Sequence, residues 1–289
     1  LKKQEAKILT KEKQSSDSWY QLGLNYSENF LFKKAADSFQ KALDIKNDSL
    51  KAKLALAETF TALEKYEKAE KILKKIIEDH PDNKNAWSDL GYLLIIVNKI
   101  QEALNIAEKV LEHNPRNVEL HIAFAGLFRQ KGKTKKAISV LEKFIDINPD
   151  NKQILEQLAS AYEALNKLPK AIEAIEKAIS LEPKDHNLWM KLGDIHARRN
   201  EYQEAIKCLQ KVVLLKSQPF KEYFYLGSTF AVTGQLEKAI KNWKKAVEIN
   251  EEFERGWRIL GNTYYKTSEI QKAKVCFKKL EELTKKKET

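Results

Sequence analysis

From Ser16 onward, apolar and small residues return every 34 positions, eight times without a slip. With Ser16 as the first place of the first unit, the twentieth place is alanine in every unit: Ala35, Ala69, Ala103, Ala137, Ala171, Ala205, Ala239 and Ala273. The seventh place is leucine except for Phe124, and the eighth is always small, glycine or alanine, as at Gly23, Ala57 and Gly91. The eleventh is mostly aromatic, and Trp19, Trp87, Trp189 and Trp257 share the fourth. Places four, seven, eight and eleven fall on one face of a helix, and places twenty, twenty-four and twenty-seven fall on one face of a second. Each unit is therefore predicted to be a pair of amphipathic helices, with the small residues letting the two backbones approach.

The breaks follow the same register. The fifteenth place holds Asn98, Gly132, Asn166, Asn200 and Gly234, residues suited to a left-handed turn between the two helices. Pro81, Pro115, Pro149 and Pro183 share one place and are predicted to end the second helix. Pro169 falls in the first turn of a second helix, where its missing N–H costs little.

The first unit reads Trp19, Leu22, Gly23, Tyr26, Ala35, Phe39 and Ala42. This pattern resembles the tetratricopeptide repeat (TPR) family, and the resemblance covers residues 16–287. It implies an all-α fold, a right-handed superhelical solenoid of eight helix-turn-helix repeats at 16–49, 50–83, 84–117, 118–151, 152–185, 186–219, 220–253 and 254–287. Departures are modest: Asn47, Ser217, Glu251 and Lys285 replace the closing proline, and His196 replaces an aromatic. Residues 1–15 lie outside the register and are read as a capping helix, with Ala6, Ile8 and Leu9 inward, or as a linker. Residues 288–289 are a tail, and Lys285, Lys286 and Lys287 are expected to form a frayed, solvated end.

Composition adds little chemistry. The chain carries 52 Lys and Arg against 41 Asp and Glu, a net charge of +11. Most of the lysines fall on the second helices, some in pairs such as Lys33-Lys34 and Lys244-Lys245, alternating with Glu. That is the pattern of a solvated face, so nucleic acid is not the expected partner. No Gly-rich phosphate loop, His-Glu-x-x-His or Cys-x-x-Cys spacing occurs, and no cofactor, metal site or catalytic residue is expected. His196 is read as the one histidine at a core place, a ring standing in for tyrosine. Cys208 and Cys276 sit 68 residues apart, two whole repeats, and are read as free thiols.

The resemblance further implies that partners dock on the face lined by each first helix, at places two, five, nine, twelve and thirteen. In units one to five those places hold Asp17, Glu28, Glu58, Glu119, Glu156 and Glu163 against Lys51 and Arg129. In units six to eight they hold Asp194 against Arg198, Lys221, Arg255, Arg258 and Lys266. The groove is expected to be acidic toward one end and basic toward the other, which would orient a partner. Leu54, Tyr92, Ile95, Ile96 and Ile122 are expected to form an apolar patch; the alternatives are a locally tighter superhelix or the N-terminal segment folding over the groove and covering it. Arg198, Arg255, Arg258, Tyr265 and Lys266 form a basic patch that fits acidic peptide groups or caps the terminal repeat. Arg258 and Asn262 match the first part of the family's carboxylate clamp, but no further unit follows to complete it.

The expected function is a non-catalytic scaffold or adaptor binding proteins or peptides in the groove, with self-association a further option. The alternative is the soluble portion of a membrane-tethered assembly factor. The chain starts at Leu1, so an upstream anchor would change its location from the expected cytoplasm to the periplasm or a membrane surface.

Overall fold

The computed structural model describes residues 15–288. These residues form sixteen α-helices and no strand, arranged as eight antiparallel pairs. The pairs are α1 (Ser16–Glu28) with α2 (Phe32–Ile45), α3 (Leu50–Ala62) with α4 (Tyr66–Asp79), α5 (Lys84–Ile96) with α6 (Ile100–His113), and α7 (Val118–Gln130) with α8 (Thr134–Ile147). They continue as α9 (Lys152–Ala164) with α10 (Leu168–Leu181), α11 (His186–Arg198) with α12 (Tyr202–Leu215), α13 (Phe220–Val232) with α14 (Leu236–Ile249), and α15 (Glu254–Lys266) with α16 (Ile270–Glu288). Every first helix starts at the first residue of a 34-residue unit. The chain is all-α, a helical repeat solenoid. Residues 1–14, where the capping helix or linker was expected, lie outside the described residues.

The turn within each pair is the same eight times over. The fifteenth place takes a left-handed backbone at Asn98, Gly132, Asn166, Asn200 and Gly234, and equally at Phe30 (φ 59°), Glu64 (58°) and Ser268 (62°). In each repeat the next N–H then reaches back to the carbonyl of the eleventh place, as from Leu31 to Tyr26 at 2.8 Å and from Glu269 to Tyr264 at 2.8 Å. This bond satisfies a carbonyl that the helix end would otherwise leave unpaired. Three of the eight turn residues therefore adopt this backbone without the chemistry that favours it, because the helices on either side are packed.

At four of the seven joints between repeats, the residue before a first helix caps it. Asn83, Asn117 and Asn151 accept from the N–H three residues on at 2.8–2.9 Å, and Asp185 accepts from Asn187. The fourth-place indoles add a second tie: Trp87 donates to Pro81 O at 2.7 Å and Trp189 to Pro183 O at 2.9 Å. Trp257 makes the same bond to Glu251 O at 2.8 Å. The acceptor is a carbonyl, so the bond survives the loss of proline there.

The core is the alanine place and its surroundings. The eight twentieth-place alanines are buried to 2% exposure or less. Phe39, Phe124 and Phe144 are the largest fully buried side chains. Gly23 lies so close to Phe39 that a Cβ there would sit 2.5 Å from the ring, which is why the eighth place stays small. His121 corrects the expectation that His196 alone sits in the core. It occupies the tryptophan place of the fourth repeat, is 4% exposed, packs edge-on to Phe144 and bonds Asn117 O through Nδ1 at 2.7 Å. His196 is half-buried and pairs with Glu201 at 2.7 Å. The expected frayed end is also corrected: α16 runs through Glu288, Leu283 on it is buried, and Lys286 reaches Glu252 at 2.7 Å.

The chain divides into two compact units at Pro149 and Asp150, four repeats in each.

Candidate functional site

Each first helix uses one face to pack on its own second helix, so its remaining surface is free to meet neighbours or a partner. In the first unit, neighbours take much of it. α3 packs on α1, and α5 packs on both α3 and α7. Leu93 and Leu94 are buried to 1% exposure, and Tyr92 donates to Asn117 Oδ1 at 3.2 Å, tying its repeat to the next turn. Leu54, Ile95 and Ile122 are half-buried, and Ile96 alone of the expected patch is exposed, at 59%. Beside them Asp89 has an oxygen buried without a hydrogen-bond partner. Burial, and then the charge of Glu58, push its carboxyl up to about 7.

In the second unit the first helices part. Between α11 and α13 lies a cavity of about 610 Å³, within the size range of ligand clefts. Met190, Asp194 and Ala197 line it from α11, Tyr225, Thr229 and Val232 from α13, and Leu209 from α12. On each wall the residues recur at helical spacing, so the cavity is a slot along about two turns, roughly 10 Å. Tyr225 and Val232 are 46% and 63% exposed. Thr229 donates its hydroxyl to Tyr225 O at 2.9 Å, so that wall presents little unsatisfied polarity.

The slot sits at the one joint where the chain path differs. Lys216, which ends α12, takes ψ 138°, whereas its counterparts in repeats one to five take 54–89°. Ser217 stands where those joints mostly have proline, and Pro219 is buried before α13. Lys216 Nζ donates to Glu222 Oε1 at 2.5 Å, and Glu222 is only 5% exposed, so an ion pair fastens this altered turn. Met190 and Val232 stand at groove-facing places, but the charge pattern of these repeats does not mark them.

The expected basic residues are all exposed: Arg198, Lys221, Arg255, Arg258 and Lys266. Arg198 donates to Glu163 at 2.7 Å, whereas Arg255 stacks 5.2 Å over the Phe224 ring. Lys221, Arg255, Arg258 and Lys266 have no carboxylate partner among the described residues. Asn262 and Tyr265 lie exposed beside them on α15. The second unit thus brings together a slot and a row of open cations. The apolar patch belongs to the first unit.

Cys208 and Cys276 are buried and unpaired, and burial pushes the Cys208 thiol up to about 11, far from a reactive thiolate. No group of three or more metal-binding side chains gathers among the described residues.

The family model described as Psidin, N-terminal TPR repeats region, matches residues 92–248, more than half of the chain. A tetratricopeptide repeat model matches residues 28–90. No curated protein sequence matches the chain. Among solved structures, the MamA protein is 27% identical over 58% of this chain and 92% of its own, with a TM-score of 0.52. YrrB, described as a TPR protein with an unusual peptide-binding site, is 20% identical over 65% of this chain and 96% of its own, with a TM-score of 0.53. The C-terminal part of a TPR repeat-containing protein from Cytophaga hutchinsonii is 16% identical over 82% of this chain and 97% of its own, at 0.66. The latter two show a shared fold.

Proposed function

This chain belongs to the tetratricopeptide repeat family, and we propose that it works as a non-catalytic scaffold that holds other proteins on the faces of its first helices. The observation that carries the reading is the slot between α11 and α13. Its exposed Tyr225 and Val232 do not fill a core, and a cleft of about 610 Å³ admits a side chain and the peptide on either side of it. Repeat proteins of this kind present extended binding surfaces because each repeat contacts only its neighbours.

The test is cross-linked capture from cells that make the protein, followed by mass spectrometry. It compares the wild type with Met190→Asp/Val232→Asp. Val232 is exposed whereas Met190 packs against the core, so Val232→Asp alone is run beside the double variant and is expected to keep the circular dichroism and melting temperature of the wild type. The reading predicts that a defined set of proteins is captured by the wild type and thinned by the variants. An unchanged set at unchanged stability contradicts it.

A further inference from the structure

Resting on the scaffold reading, we infer that the second unit binds an acidic peptide segment bearing one bulky apolar side chain, which enters the slot while neighbouring carboxylates meet Lys221, Arg255 and Arg258.

The slot specifies the anchor. Met190, Tyr225 and Val232 form its walls and Leu209 lies behind them, so the surface that a ligand would cover is largely hydrocarbon. Tyr225 and Val232 leave large apolar areas in water, and covering them is the main favourable term in docking. Ala197, a small side chain, lines the cleft from the α11 side.

The cations specify the flanks. Lys221 lies one turn before Tyr225 on α13, hence on the same side of that helix. Arg255 stands one full repeat after Lys221 and stacks on Phe224, the residue next to Tyr225, which keeps its guanidinium against the slot's own wall helix. Arg258 follows one turn later on α15. All three are exposed, and none has a carboxylate partner among the described residues. Arg198, by contrast, already has Glu163. Charges left open along one face attract an anionic partner and fix its register.

A nucleic acid would supply anions too, but the slot favours protein. The hydrocarbon walls suit a side chain better than a sugar. Lys191 does not complete a phosphate site, since it donates to Ser160 at 3.0 Å on the neighbouring helix.

The experiment is fluorescence anisotropy on the full chain with labelled, C-terminally amidated peptides, so that only side-chain carboxylates are read. The set comprises tryptophan among glutamates, tryptophan among glutamines, tryptophan among lysines, and glutamates without tryptophan. A single-stranded oligonucleotide of similar charge is added. At physiological salt the acidic tryptophan peptide is expected to bind at least about tenfold tighter than every other probe. Val232→Asp and Arg255→Glu/Arg258→Glu are each expected to weaken it about tenfold at little-changed melting temperature, because all three residues are exposed. Three results overturn the inference: preference for the lysine or glutamine peptide, tighter binding of the oligonucleotide, or indifference to both variants. If the peptides fail while cross-linked capture still depends on Met190 and Val232, the acidic assignment falls and the scaffold reading stands. If both fail, so does the reading.

Discussion

Arg198 Nη1 donates to Glu163 Oε2 at 2.7 Å, so a base of the sixth repeat is held by an acid of the fifth. Lys51 and Asp17 do the same at 2.5 Å, one 34-residue step apart on successive first helices. Charges that look like a graded binding surface when counted along the sequence are thus partly neutralised by their own neighbours. What is open to a partner is the remainder.

That distinction separates two arginines. Arg198→Ala is expected to cost less than about 1 kcal/mol of stability, as exposed pairs do, and to leave partner capture unchanged. Arg255→Glu is expected to cost a similarly small amount, about 1 kcal/mol or less, through the lost stacking on Phe224, but to reduce capture. Urea unfolding beside the capture assay checks both, and equal effects of the two substitutions on capture would erase the distinction.

Asp89 makes stability depend on pH. Its carboxyl is pushed up to about 7 by burial and by Glu58, above its value in the unfolded chain. A raised acid contributes stability that is fully present below the unfolded value, near 4, and is lost as pH rises through 7. Asp89→Asn removes that loss, so it is expected to stabilise the fold at about pH 8 by up to roughly 4 kcal/mol relative to its effect at about pH 4. Urea unfolding of both proteins across this range measures the difference. Parallel curves would mean that Asp89 is solvated.

Phe30 has a left-handed backbone (φ 59°) and an exposed ring, at 80%. Most side chains resist that conformation by about 1–2 kcal/mol, and asparagine resists it least after glycine. Phe30→Asn is expected to raise stability by about 1 kcal/mol, read as a higher melting temperature. A decrease would show that the contact between Phe30 and Phe32 matters more than the backbone.

Gly23→Ala tests the packing of helix on helix. Its new methyl would lie 2.5 Å from the Phe39 ring, which is 1% exposed and has nowhere to move. Overpacking of this kind costs about 1–3 kcal/mol. Gly126→Ala, with open space around it, serves as the control and is expected to be neutral or slightly stabilising.

The fold was legible because one register repeats eight times, and each place has a fixed mechanical meaning. Even Phe30, Glu64 and Ser268, poor residues for a left-handed turn, adopt it because the register demands it. His121 was missed because it stands in the place of a tryptophan, and its burial follows from the place, not from the residue type. The slot was legible only in part. Met190 and Val232 stand at groove-facing places, but their exposure depends on α11 and α13 parting at the extended Lys216 turn. Ser217 and Pro219 mark that turn in the sequence without revealing its direction. Burial of the apolar run on α5 likewise depends on how closely α3 and α7 approach, which residue types alone do not specify.

The central claim, that partners dock on the first-helix face at the slot, is tested most directly by photocross-linking from a single position. A benzophenone amino acid replacing Tyr225, on the slot wall, is expected to capture a protein in cells. The same residue replacing Lys244, exposed on the second helix α14, is expected not to do so. Capture from position 244 alone, or equally from both, would contradict the account.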